Sequence, residues 1–458
     1  MEKVEILTFS GILVAFGGLA CMYALILLKT RKYEDAFYKK TLKRAFAFKI
    51  LMTVLYFLYH YYIFKGGDTF EYYNAILEFK NAFWKYPIDA LQSIVQEPEN
   101  WSNRIQNILE HEFYSTPEES LTVKFGALFG VMLWGNYLAI AFLYSFFALA
   151  GIWRLYKTCC YLFPDYKKIL AFFILFFPTT VFWSSSISKD ALVMGAVGFL
   201  LHSFYKLFIA KKALFINCLI LIGSYLLILE IKGYILVAMI PGLLIWLLLH
   251  YKNNIKNKWV RRLSTPLFIG LFIIMFIAGL DLMNNSNALK NFTLDEISSS
   301  IISYNNYLSN PALAGSAYNI GVLEPNLNSI IKIFPAAINV TLFRPYLWET
   351  NNAASFLTGI ESLFTLIFTL FVLLKTGIYT FIRNIFKSPF LLYCLIFTLI
   401  FAGAVGMTSG NFGTLARYKI ICLPFYFTML IVLWQDSVAK KREKKREVII
   451  EGEGSLGS

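Results

Sequence analysis

Eleven apolar runs recur along this chain, most of them close to the length an α-helix needs to cross a bilayer, roughly 20 residues. Within lipid, every backbone N–H and C=O must find its partner inside the protein, so such runs fold as helices. They lie at 4–28, 45–64, 125–152, 169–184, 190–210, 213–230, 234–250, 264–284, 353–374, 389–407 and 420–436. The fold class they predict is all-α: a polytopic integral membrane protein with about 11 transmembrane helices, forming one transmembrane domain over 1–437. Run 169–184 is short for a crossing and reads as broken or re-entrant. The first run has no basic segment before it and is too long for the apolar core of a cleaved leader, so it is expected to stay as a span. A hydrophobic share of 58% against 15% charged residues excludes an ordinary soluble domain.

A net charge of +14 would point a soluble protein toward nucleic acid. Here the cations sort by loop instead. Segments 29–44, 153–168, 211–212, 251–263, 375–388 and the tail after 437 are basic, as in KTRKYEDAFYKKTLKR and KKREKKRE. By the positive-inside rule these are cytoplasmic, which puts the N-terminus outside and the C-terminus inside. No nucleic-acid partner is expected. The alternate segments 65–124, 185–189, 231–233, 285–352 and 408–419 are then external. In the two long ones, 65–124 and 285–352, apolar residues recur at helical spacing, so amphipathic helices are expected to lie over the outer mouth of the bundle. Tail 438–458 is basic and Gly-rich and is expected to be irregular. The six Cys avoid the large external loops, so no disulfide framework is expected. The four His read as structural, and no metal-ligand spacing occurs.

Five polar clusters sit at external ends of spans. Lys65-Gly66-Gly67-Asp68-Thr69-Phe70-Glu71-Tyr72-Tyr73 follows the second span, with glycines that permit a sharp turn and then an acid among tyrosines. Ser184 to Asp190 interrupts two apolar runs, and its hydroxyls and new helix N-terminus suit an anion. Lys189 opposes that helix dipole, so either Asp190 or an anionic ligand compensates it. Glu230-Ile231-Lys232 is a tight turn with opposite charges, read as a local pair or as the lining of a polar cavity. Arg344-Pro345-Tyr346-Leu347-Trp348-Glu349 offers a planar phosphate fork and aromatic faces, or an interfacial belt with a snorkelling Arg. Ser409 to Lys419 places Arg417 and Lys419 on the side where cations are disfavoured. Lys189, Lys232, Arg344, Arg417 and Lys419 are therefore expected to surround one pocket, with Asp68, Asp190, Glu230 and Glu349 as its carboxylates. Glu361 and Asp281 carry charge at membrane depth and are expected to face the same cavity.

The GGDTxxYY loop after an early span, the large external loops and the Arg-containing segment before the last span resemble bacterial surface-polysaccharide polymerases. These are the Wzy- and EpsG-like proteins of O-antigen and exopolysaccharide assembly, and there is likeness to membrane GT-C glycosyltransferases as well. The resemblance implies a bacterial cytoplasmic-membrane enzyme that transfers or polymerises polyprenyl-diphosphate-linked oligosaccharide at the outer face. It implies Asp68 or Glu349 as the base for the acceptor hydroxyl. Lys189, Asp190, Lys232, Arg344, Arg417, Lys419, Tyr72 and Trp348 would be the substrate contacts. No metal or other cofactor is implied. Partners would be the lipid-linked glycan, membrane lipids and chain-length regulator or export proteins. Two rivals use the same cations without a base: a transporter or flippase of an anionic lipid-linked sugar, and a non-catalytic envelope-complex subunit. Polar clusters on one side alone speak against alternating access, which needs polar groups through the midplane.

Overall fold

The computed structural model describes residues 9–110, 112–114, 116–252, 270, 316–321 and 327–455. The chain is a multi-pass helical membrane protein: among these residues 8 helices are long and apolar enough to cross a bilayer, or 9 counting one bent pair. The elements are α1 (Phe9–Arg31), α2 (Ala36–Leu58), α3 (Asp68–Lys85), α4 (Pro87–Val95), α5 (Asn103–Gln106), α6 (Pro117–Met132), α7 (Tyr137–Leu162), α8 (Lys167–Leu175), α9 (Pro178–Trp183) and α10 (Lys189–Phe204). They continue as α11 (Leu214–Lys232), α12 (Tyr234–Lys252), α13 (Leu327–Phe343), α14 (Ala353–Thr376), α15 (Ile378–Lys387), α16 (Pro389–Thr408), α17 (Phe412–Tyr418) and α18 (Leu423–Ser455).

Three expected spans take another form, and one, 264–284, lies outside the described residues. Run 125–152 is cut between α6 and α7, where Trp134 and Gly135 adopt φ 54° and 73°. Asn136 then caps the new helix, its side chain accepting from Ala139 N at 2.9 Å. Run 169–184 breaks at Pro178, whose ring disfavours helical backbone in Phe177 (φ −70°, ψ 119°) and leaves the two short helices α8 and α9. Run 420–436 belongs to a pair, Phe412–Ile421 and Leu423–Glu443, bent by 60°. Loop 65–124 folds into helices α3 to α6, and α18 runs on through the basic tail to Ser455, Lys, Arg and Glu all being good helix formers.

The described residues fall into two compact units. One takes in the chain up to Thr158 together with Leu175–Leu236; the other takes in Cys159–Ile174 and the described residues after Leu236.

In the first unit α7 and α10 meet backbone to backbone. A Cβ on Gly151 would lie 1.9 Å from the Gly195 carbonyl oxygen, and one on Gly198 would lie 2.1 Å from that of Gly151. Lipid tails are as apolar as the side chains, so such close packing is a main source of helix association. Gly151→Leu is expected to push the helices apart and to cost about 3 kcal/mol or more, since overpacking this tight cannot relax through a rotamer. A wild-type thermal midpoint for the purified variant would contradict this.

In the second unit α13 packs on α16 in the same way. A Cβ on Gly406 would meet the Ala337 carbonyl at 2.1 Å, and Thr341 Oγ1 donates across to Ala402 O at 2.7 Å. Phe173, Phe368 and Phe427 fill the space between α8, α14 and α18.

Candidate functional site

The site in the first unit is built on the broken helix. Short α9 ends at Trp183, leaving carbonyls without helical partners. Lys49, inside α2 and 1% exposed, supplies them: its ammonium donates to Val181 O at 3.1 Å, Ser184 O at 2.6 Å and Ser184 Oγ at 2.8 Å. A cation is well placed at a helix C-terminus, and all three of its protons are used. The next residues run as a buried polar turn. Ser186, at φ 68°, donates its N–H to Ser145 Oγ at 2.9 Å. Its hydroxyl pairs with Tyr137 OH at 2.9 Å, and Tyr137 OH pairs with Thr69 Oγ1 at 2.8 Å. Ser188 then caps α10 by accepting from Ala191 N at 3.1 Å.

This hydroxyl chain ties the turn to the first turn of α3, where Asp68 is exposed. Asp68 follows Gly66 and Gly67, whose φ of 157° and 105° let the chain leave the π-turn at the end of α2 and start α3 at once. One turn further along α3, the Tyr72 hydroxyl donates to Glu119 on α6. Burial, then Glu119, Asp68 and Asp190, push the Tyr72 phenol far above its ordinary pKa, so it stays a proton donor. Glu119 also takes the Lys189 ammonium at 2.5 Å, with Glu118 at 3.6 Å. Asp190, 1% exposed, pairs with Lys232 of α11, 7% exposed, at 2.5 Å.

These pairings revise the sequence reading. Lys189 is compensated by Glu118 and Glu119, neither of which was singled out, and Asp190 serves Lys232. The Lys232 ammonium pairs across to α10 rather than within its own turn, where Glu230 is exposed. Asp190 and Lys232 are both buried, and their pairing fastens α10 to α11.

The second unit holds the other candidates. The Arg344 guanidinium donates to both Glu349 oxygens, through Nε at 3.0 Å and through Nη2, and its carbon lies 5.5 Å from the Phe412 ring centroid. Glu349 also accepts from Tyr346 N at 2.8 Å. Ser362 donates to Arg344 O at 2.9 Å and accepts from the buried Lys419 ammonium at 2.9 Å, with Glu361 in electrostatic reach of Lys419. The Trp348 ring, 82% exposed, stacks on Tyr346 at 4.9 Å. Arg417 sits half-buried on α17. Asp281 lies outside the described residues. The candidates thus divide between units: Asp68, Tyr72, Lys189, Asp190 and Lys232 in the first, Arg344, Trp348, Glu349, Arg417 and Lys419 in the second.

Burial raises the Glu349 pKa, but hydrogen bonds from Arg344 and from Tyr346 N outweigh it and hold the carboxyl below its ordinary value. A depressed native pKa contributes stability that is full above the unfolded value and is lost as pH falls through the native one. The thermal midpoint of the wild type is therefore expected to fall below the ordinary carboxylate range, and Glu349→Gln is expected to flatten that part of the profile. Parallel profiles for the two proteins would contradict the pairing.

His60 stacks on Tyr56 with ring centroids 4.0 Å apart and bonds the Tyr56 carbonyl at 3.0 Å, a packing role. No family model matches the chain, and no curated protein or solved structure matches it either.

Proposed function

We propose that the chain transfers glycosyl groups from a polyprenyl-diphosphate-linked oligosaccharide, on the membrane face opposite the basic loops, in surface-polysaccharide assembly. The observation that supports this reading best is Asp68: an exposed carboxylate at the first turn of α3, set beside the Tyr72–Glu119–Lys189 chain in an otherwise apolar helical protein. In this reading an acceptor hydroxyl attacks the anomeric carbon of the donor. A new C–O bond forms, the bond to the diphosphate breaks, and the polyprenyl diphosphate leaves with the electron pair. The acceptor proton passes to Asp68. Lys189, partly exposed, meets the leaving diphosphate by exchanging its longer contact, Glu118 at 3.6 Å. Asp68 takes precedence over Glu349 as base because it is exposed, whereas Glu349 is half-buried.

The test is the length of surface polysaccharide in cells whose only copy carries Asp68→Asn, with membrane levels matched. Long chains collapsing to single repeat units support the proposal. Unchanged length contradicts the base assignment. Repeat units trapped on the side of the basic loops point to flipping instead.

A further inference from the structure

In the second unit, α14 ends beside α18. Gly377, at φ 76°, stops α14, and its N–H donates to Leu373 O at 2.8 Å. The chain turns there at once into α15, which packs on α18. Between the last turn of α14 and α18 lies a cavity of about 340 Å³, lined among the described residues by Lys375, Trp434, Ser437, Val438, Lys441 and Arg442. Sites for small ligands run from roughly 300 to 1,000 Å³, so it has room for a compact anionic group. Trp434, Ser437, Val438 and Lys441 stand at i, i+3, i+4 and i+7, one stripe of α18, with Arg442 on its flank. Asp436 and Glu443 fall off that stripe by helical spacing, and Asp436 accepts from Tyr166 OH at 2.5 Å. The cavity thus gathers three cations and, among the described residues, no carboxylate. Lys441 is held in place by donating to Lys375 O at 3.2 Å, a cation at a helix C-terminus. The Lys375 ammonium lies 5.9 Å from the Phe371 ring centroid, and Trp434 meets the same ring edge-on at 5.5 Å.

Three like charges in one concavity repel one another, and an anion that bridges them relieves the repulsion. Depth says which anions reach it. Lys375 ends the span Ala354–Thr376, and Lys441 and Arg442 end the apolar helix Leu423–Glu443, so the cavity lies where headgroups lie. Beside it α15 exposes Ile378, Tyr379, Ile382 and Phe386 along one face, with Arg383 and Lys387 off that face, the pattern of a helix lying in the membrane interface. We propose that this cavity binds a phosphate ester. Arg442 supplies a planar fork for two phosphate oxygens, and Lys375 and Lys441 supply point charges on either side. The apolar face of α15 favours a phospholipid as the source, since acyl chains would lie along it while the headgroup enters the cavity.

The test uses the full chain in nanodiscs of zwitterionic lipid doped with phosphatidylglycerol, reading retained lipid by native mass spectrometry. Wild type is expected to keep phosphatidylglycerol through delipidation. Arg442→Gln and Lys375→Gln are each expected to weaken that retention about fivefold, the value of one cation toward anionic lipid, and Arg442→Lys to weaken it less. Lys440→Gln serves as the comparison: it removes an exposed cation one residue from Lys441 that does not line the cavity, and is expected to leave retention unchanged. A second arm titrates inorganic phosphate against the lipid-loaded protein in detergent. Lipid held against millimolar phosphate supports the site with a headgroup as its ester; lipid displaced by it supports the site with a soluble phosphate ester. If Lys440→Gln weakens retention as much as Arg442→Gln, diffuse charge is at work and the site is overturned. It is equally overturned if Arg442→Gln alters neither lipid retention nor the phosphate titration.

Discussion

Asp190→Ala is expected to destabilise the protein by about 3–5 kcal/mol, the usual cost of leaving one partner of an enclosed ion pair without the other. Asp190 is 1% exposed and Lys232 7%, and their 2.5 Å contact joins the first turn of α10 to the last turn of α11. Removing the carboxylate takes a 2.5 Å ion-pair partner from a buried ammonium. Lys232→Ala is expected to do comparable harm by stranding the carboxylate. Replacing both together with apolar residues of similar volume, Asp190→Leu with Lys232→Met, is expected to return most of the loss, because the desolvation cost disappears along with the attraction. Unfolding of the four proteins in one detergent closes a double-mutant cycle. Single variants that lose under about 1 kcal/mol, or a double variant that is worse than either single one, would show that the pair is not the fastening it is taken to be. The functional consequence is local: Lys189 and the Ser188 cap sit in the same turn as Asp190, so loosening it displaces the Lys189–Glu119 contact.

Asp68→Asn is expected to lower the rate of glycosyl transfer by about 10²–10⁴-fold, the range for removal of a general base, with little change in donor binding. The exchange keeps the shape of the side chain and removes its basicity. Asp68 is exposed, so stability is expected to stay within about 0.5 kcal/mol of wild type. Tyr72→Phe provides the contrast. It deletes the hydroxyl that Glu119 accepts from, leaves Asp68 in place, and is expected to act on substrate affinity through Lys189 more than on the chemical step. Equal losses of kcat for Asp68→Asn and Tyr72→Phe, with no separation in KM, would argue against distinct roles.

The parts of the molecule that periodicity and charge reveal were legible in the chain. Apolar runs located most of the described spans, and the shortness of run 169–184 announced the break that Pro178 makes. The Ser184–Asp190 turn stood out because hydroxyls and charges interrupt hydrocarbon. Other features had a local signal that a long apolar run hid. Trp134-Gly135-Asn136 is a helix stop followed by a cap, yet it lies inside residues apolar enough to read as one span. Lys49 is a cation within an apolar run, and its cost was the clue. The pairing of charges was not legible. Lys189 finds Glu119 at a sequence separation of 70, and Lys232 finds Asp190 at 42, while Glu230, two residues from Lys232, is exposed. Local spacing offers a neighbour, and only helix packing decides which neighbour arrives at 2.5 Å. Of the candidate cations, Lys189 and Lys232 belong to the first unit and Arg344, Arg417 and Lys419 to the second.

The most direct measurement mixes the purified wild-type protein, in nanodiscs, with one isotopically labelled and one unlabelled polyprenyl-diphosphate oligosaccharide, and follows the products by mass spectrometry. Glycosyl transfer predicts a new lipid-linked product containing one labelled and one unlabelled repeat, with one equivalent of free polyprenyl diphosphate released for each bond formed. Full recovery of both substrates, with the protein folded and with lipid-linked sugar merely moved between leaflets, would contradict it.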